Sequence, residues 1–242
     1  MILAGIGGRT GMETNALPLP EPTPDALSGV LDLIHLGGPA MWAIAALSVA
    51  SLTLILWKVM RLAAMGAWSG GGHTARALAL WKQGKTAEAL SVLDRRHSVR
   101  AILTRTAMRA ALEPGLDRDR AEAETARVAR GLLAQAGWGL RGLELAVAVG
   151  PLLGLLGTVT GMISSFQSLQ AAGVRADTAT LAGGIWEALL TTAAGMAVAI
   201  PAQIALVWFE SIVDRLRHDM EDAATQVLMS PQAASALRQA AE

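Results

Sequence analysis

At 242 residues, 52% hydrophobic and only 17% charged, with a mean hydropathy of +0.41, this chain is too apolar for an ordinary soluble domain. Twenty basic residues cancel twenty acidic ones, which argues against a nucleic-acid partner, and the lack of cysteine excludes disulfides, thiol catalysis and cysteine metal sites. The histidines His35, His73, His97 and His218 share no ligand spacing, so no metal site and no cofactor are expected.

Residues 1–35 open with glycines and then LPLPEPTP, with prolines at every second position from Pro18 to Pro24, which favours an extended tail without a core. No basic start precedes the short apolar opening and Arg9 interrupts it, so a secretory signal is not expected. Residues 36–60 form the first expected membrane helix. Leu36 to Trp57 carries no charge, Trp42 and Trp57 suit the two interfaces, and Lys58 and Arg61 close the run.

Residues 61–141 hold fourteen of the twenty Lys and Arg, and Arg215, Arg217 and Arg238 follow the last apolar run. The positive-inside rule places this segment and the tail 211–242 in the cytoplasm, and the N-terminal tail and the loop 170–177 outside. Apolar spacing predicts helices over 74–83 and 86–95, joined at Gln83-Gly84-Lys85, and a third over 98–112 that ends before Pro114-Gly115. Gly84-Lys85-Thr86 is a helix turn and not a phosphate loop, since Ala79 stands where that loop needs glycine. Asp119 and Glu122 suggest a capping box for a helix that runs without proline into the second crossing, about 50 residues and roughly 75 Å in all. Its Arg120, Glu122, Glu124, Arg127 and Arg130 read as a solvated charged face.

The second crossing spans 142–169, and Leu145 to Val174 is uncharged for thirty residues. Gly150, Gly154, Gly157 and Gly161 recur at spacings of four, three and four, a smooth strip suited to close helix contact, and Thr158 adds a hydroxyl to it. The third crossing spans 178–210, with Asp177 or Thr178 as its cap. It carries small-residue strips too, Gly184, Ala188, Thr192 and Met196 beside Thr191, Gly195, Ala199 and Ala202. Pro151 and Pro201 are tolerated inside crossings where neighbours satisfy the freed carbonyls. The fold class expected is therefore all-α integral membrane, with three transmembrane helices and a helical segment between the first two.

Glu144 and Glu187 are the two carboxylates at membrane depth. Glu144 pairs naturally with Arg141 at the interface. Glu187 lies well within its apolar run, where a carboxylate costs on the order of a few kcal/mol and must face the bundle interior or water. Thr158, Thr191 and Thr192 read either as packing residues bonded to their own backbone or, with Glu187, as the lining of a shared polar cavity. One deep acid is too few for a proton relay, so a partner helix is expected to supply another.

The stretches GPLLGLLGTVTGMISSFQSL (150–169) and GGIWEALLTTAAGMAVAIPA (183–202) resemble the MotA/TolQ/ExbB proton channel family, its ExbB/TolQ-like branch most. The resemblance implies an inner-membrane homopentamer around a dimer of ExbD/TolR-like single-helix partners, each with a membrane aspartate. Thr158 and Thr192 match the threonines that face that aspartate, and Glu187 matches the family's membrane glutamate. Ion flow would then turn the pentamer and energise a TonB- or TolA-like protein. Leu206-Val207 stands where many relatives have Tyr-Asn, a departure at the cytoplasmic end of the third helix. The competing readings are a non-conducting membrane scaffold and a MotA-like stator subunit, against which three crossings instead of four argue. No nucleophile and base pair up, so an enzyme is not expected and no catalytic residue is assigned.

Overall fold

The structure is a computed structural model that describes residues 37–68, 71–173, 178–231 and 233. The tail 1–35, positions 174–177 of the loop 170–177 and the last nine residues lie outside the described residues. Within them the chain forms seven helices and no strand: α1 (Gly38–Ala64), α2 (Gly72–Lys82), α3 (Thr86–Leu93), α4 (Val99–Leu112), α5 (Arg118–Gly137), α6 (Leu140–Ala172) and α7 (Thr178–Leu228). Three stretches are long and apolar enough to cross a membrane: α1, α6 with α5 leading into it, and α7.

α1 starts sharply because Gly38 takes a φ of +62°, open to glycine, and Pro39 follows in the first turn, where no N–H is needed. The α2–α3 hairpin turns at Gly84, with a φ of +79°. Ser98 caps α4, its hydroxyl accepting the Ala101 N–H at 3.4 Å. On the face of α5, Arg127 donates to Glu124 at 2.8 and 2.7 Å, and this solvent-facing pairing holds the Glu124 carboxyl below its ordinary range.

Two expectations about the helix that leads into the second crossing are corrected. The cap of α5 is Asp117, whose carboxylate accepts the Arg120 N–H at 2.8 Å, and not Asp119. The turn at Pro114-Gly115, with Gly115 at φ +88°, releases the chain early enough for helix to begin at Arg118, so Asp119 falls in the first turn. Nor does α5 run straight into α6. The chain breaks at Trp138-Gly139, where Gly139 has φ +88° and a Cβ would lie 3.2 Å from the Trp57 ring. A residue eighty positions away in sequence secures the break. Lys58, 3% exposed, reaches out of α1 and donates to the carbonyls of Ala136 and, at 2.6 Å, Trp138, finishing the open end of α5. Trp57 packs edge-on against Trp138, with 4.8 Å between centroids. Lys58→Met is expected to cost about 1–3 kcal/mol, the price of stranding two carbonyls. Hydrogen exchange over residues 136–143 should accelerate accordingly.

The uninterrupted rod is α7 instead, 51 residues and roughly 75 Å long. Each of the three cores includes it. Trp81 anchors the first, with Met108 and Val227, and its indole N–H donates to Ser230 Oγ at 2.8 Å. Leu62, Leu143, Leu206 and Phe209 form the second, at the end of the crossings nearest α5. Val99, Leu103, Leu216 and Met220 form the third, which joins α4 to α7 beyond the membrane.

Candidate functional site in the α6–α7 pair

The glycine strip of α6 meets the small strip of α7 within one chain. A Cβ on Gly150 would lie 3.3 Å from Ala199 Cβ, and one on Gly161 would lie 2.9 Å from Ala188 Cβ. One on Gly154 would lie 2.9 Å from Thr192 Cα, and one on Gly157 would run into Thr191. Reciprocally, a Cβ on Gly195 would lie 3.2 Å from Gly154 Cα, and one on Gly184 would run into Ser165. Without side chains in the way the two backbones come close enough for hydroxyls to cross between them. Thr192 Oγ1 donates to Gly154 O at 3.0 Å, and Thr191 Oγ1 lies 3.3 Å from the same carbonyl and 2.7 Å from Ala188 O. Thr191 is thereby locked, 2% exposed.

Thr158 behaves differently. It sits on the more open side of α6 and its hydroxyl donates to Leu155 O at 2.7 Å. All three threonine protons are thus directed at carbonyls, which leaves the oxygen lone pairs as acceptors. Thr158 and the half-buried Thr192 therefore offer acceptor oxygens suited to a protonated acid or a hydrated cation. Pro151 and Pro201 remain inside α6 and α7, both at exposed positions.

Glu187 is half-buried and lines a cleft of about 550 Å³ between α6 and α7, near the start of α1. Thr160, Ser164, Ser165, Ser168, Thr180 and Thr191 supply hydroxyls to it. Within the single chain Glu187 and Thr191 line this cleft, and Thr158 and Thr192 do not. The depth of Glu187 is shallower than its apolar run suggested. Gly37, where α1 starts, sits against Thr191, a Cβ on it lying 3.1 Å from Thr191 Cγ2. Glu187 is one turn beyond that level, about 6 Å along α7. It is also next to the exposed Trp186, and Trp186 and Trp208 are about 33 Å apart on the helix, one bilayer core. Glu187 therefore stands near the end of the bundle at which α1 starts. Arg141 and Glu144 form no ion pair with each other, and both are exposed.

The cleft serines did carry a signal in the sequence, one that the glycine pattern overshadowed. Thr160, Ser164 and Ser168 repeat every four residues on the face that carries Gly157 and Gly161, a polar continuation of the glycine strip. Lys58 gave no comparable signal, since a basic residue at the end of a crossing is normally read as a topology mark.

The α1, α6 and α7 spans make this a multi-pass membrane protein in which two crossings are joined backbone to backbone. The chain belongs to the MotA/TolQ/ExbB proton channel family, whose model matches residues 95–222, and to its ExbB/TolQ-like branch. It is 48% identical over 81 residues to Putative biopolymer transport protein ExbB-like 1 of Synechocystis, a match covering 33% of this chain and 31% of that protein. The Methanothermobacter thermautotrophicus putative biopolymer transport protein ExbB homolog is 32% identical over 183 residues, 74% of this chain and 62% of that one. Tol-Pal system protein TolQ of Pseudomonas aeruginosa is 41% identical over 97 residues, covering 38% and 42%. The chain thus spans less than two thirds of the length of each of these relatives.

Proposed function

We propose that this chain is the channel-forming subunit of an inner-membrane, proton-driven motor. Five copies surround a dimer of ExbD/TolR-like single-helix partners, and proton flow drives work on a TonB/TolA-like protein. Residues 61–141 and the C-terminus face the cytoplasm and the N-terminus faces outside, as the clustering of Lys and Arg between 61 and 141 requires. The observation that carries the reading is that Thr158, bonded to Leu155 O, and Thr192, bonded to Gly154 O, have their hydroxyl protons tied to carbonyls and acceptor oxygens left for a partner's protonated aspartate. The partner's acid alternates there between a neutral, hydrogen-bonded form and a charged one, while Glu187 and the serine-lined cleft connect the pair to the outer aqueous side. No enzymatic activity, cofactor or metal enters this scheme.

The test is proton uptake into vesicles that contain the purified chain and its partner. Uptake should require both proteins and fall roughly tenfold in Thr192→Val, about the worth of one hydrogen bond. Uptake indifferent to Thr192→Val and to the absence of the partner would leave the non-conducting scaffold as the better reading.

A further inference from the structure

A second cavity, of about 330 Å³, lies where α1 ends and plays no part in the ion path. Its wall is assembled from the end of α1, the start of α2 and the connection 95–100. The connection and α2 contribute Arg95, Arg96, Arg100, His73 and His97, and no carboxylate lines the cavity among the described residues. Arg100 is fixed, bound to Asp219 at 2.7 Å and to Ala67 O at 3.2 Å. Asp94, the nearest acid in sequence, is drawn off by Arg109 at 3.5 Å. Arg95 and Arg96 form no ion pair among the described residues, so the cavity keeps their positive charge.

Its level is set by packing. Trp68, just past α1, stacks on Trp208 of α7 with 5.8 Å between centroids, and Ala67 packs in the cluster of Leu206 and Phe209. The turn after α1 is therefore level with Phe209, the end of the uncharged run of α7 before Glu210, where the hydrocarbon core gives way to headgroups. The backbone adds a further observation. Arg95 holds φ at +69°, a left-handed conformation that costs an L-residue stability and that glycine adopts freely. An arginine is kept on the cavity wall where glycine would be easier.

We infer that this cavity binds the phosphate of an anionic phospholipid from the leaflet next to residues 61–141. The inference rests on membrane insertion alone, so it stands or falls separately from proton conduction. The lipid phosphate lies between Arg95 and Arg96, with the first turn of α4, capped by Ser98, presenting its positive end at the cavity edge.

Native mass spectrometry of the full chain from micelles tests it, with phosphatidylglycerol and phosphatidylcholine as probes and inorganic phosphate as soluble competitor. Phosphatidylglycerol should be retained in preference to phosphatidylcholine and should resist millimolar phosphate. Arg95→Gly should weaken its binding roughly fivefold while leaving the melting temperature unchanged or higher, and Arg95→Gly with Arg96→Ala roughly 25-fold. Equal retention of the two lipids, or binding unchanged in Arg95→Gly, overturns the site. Displacement of phosphatidylglycerol by inorganic phosphate overturns the lipid assignment in favour of a soluble anion. Should the double variant fail to fold, the single one decides.

Discussion

Gly154→Val is expected to separate α6 from α7 and lower the melting temperature of the purified chain by roughly 5–10 °C. The first atom of the new side chain would lie 2.9 Å from Thr192 Cα and 3.1 Å from Thr191 O. Both are backbone positions, so no rotamer change relieves the overlap and the helices must move apart. Overpacking of this kind costs about 1–3 kcal/mol, and in a chain of this size each kcal/mol shifts the midpoint by about 2–4 °C. Separation also breaks the Thr192 bond to Gly154 O, so the damage reaches the site as well as the fold. Gly131→Ala in α5 is the control, since a Cβ there meets nothing within 4 Å. That change should stabilise the helix by about 0.5–1 kcal/mol. Equal behaviour of the two variants in a thermal scan would show that the strip does not set the spacing of the pair.

Glu187→Gln should abolish partner-dependent proton uptake, a loss of roughly a hundredfold or more, while leaving melting temperature and partner co-purification intact. The amide has the size of the carboxylate and can still bond to the hydroxyls of the cleft, so packing between α6 and α7 has no reason to change. What an amide cannot do is exchange a proton, the role proposed for the carboxylate. Positioned proton-transfer groups contribute about 100-fold or more, which sets the expected size. The readout is the pair of measurements together. Lost uptake with lost assembly would make Glu187 a packing residue, and intact uptake would remove it from the path.

The crossings were legible because an uncharged run of that length fits little besides a membrane helix, and the uninterrupted 51-residue α7 contains the third of them. The helices 72–82, 86–93 and 99–112 were equally legible, each punctuated by a residue with local chemistry, such as Gly84 or Ser98. What could not be read was set at a distance. The glycines of AQAGWGLRG permit a break but do not say at which of them it falls, and the contacts that mark it at Gly139 come from Lys58 and Trp57 of another element. Likewise Asp117 and Asp119 are equivalent until the Gly115 turn fixes where the chain enters the helix. The glycine strips were visible as strips, but only the fold shows that the two complement each other. For the site, the threonines and Glu187 were named from sequence, yet their division between an interhelical seam and a cleft near the start of α1 follows from the register of α6 against α7, which spacing alone does not define.

One consequence follows from the unequal construction of the two joined crossings. α7 runs from Thr178 to Leu228 as a single helix, clamped just past its far end by Trp81 through Ser230. Its neighbour is interrupted at Trp138-Gly139 and tethered there by Lys58. A displacement of the crossings would therefore meet an unbroken helix on one side and a joint on the other. The knuckle at Gly139 is the place where the charged helix α5 can change its angle to the crossing without breaking a helical hydrogen-bond ladder.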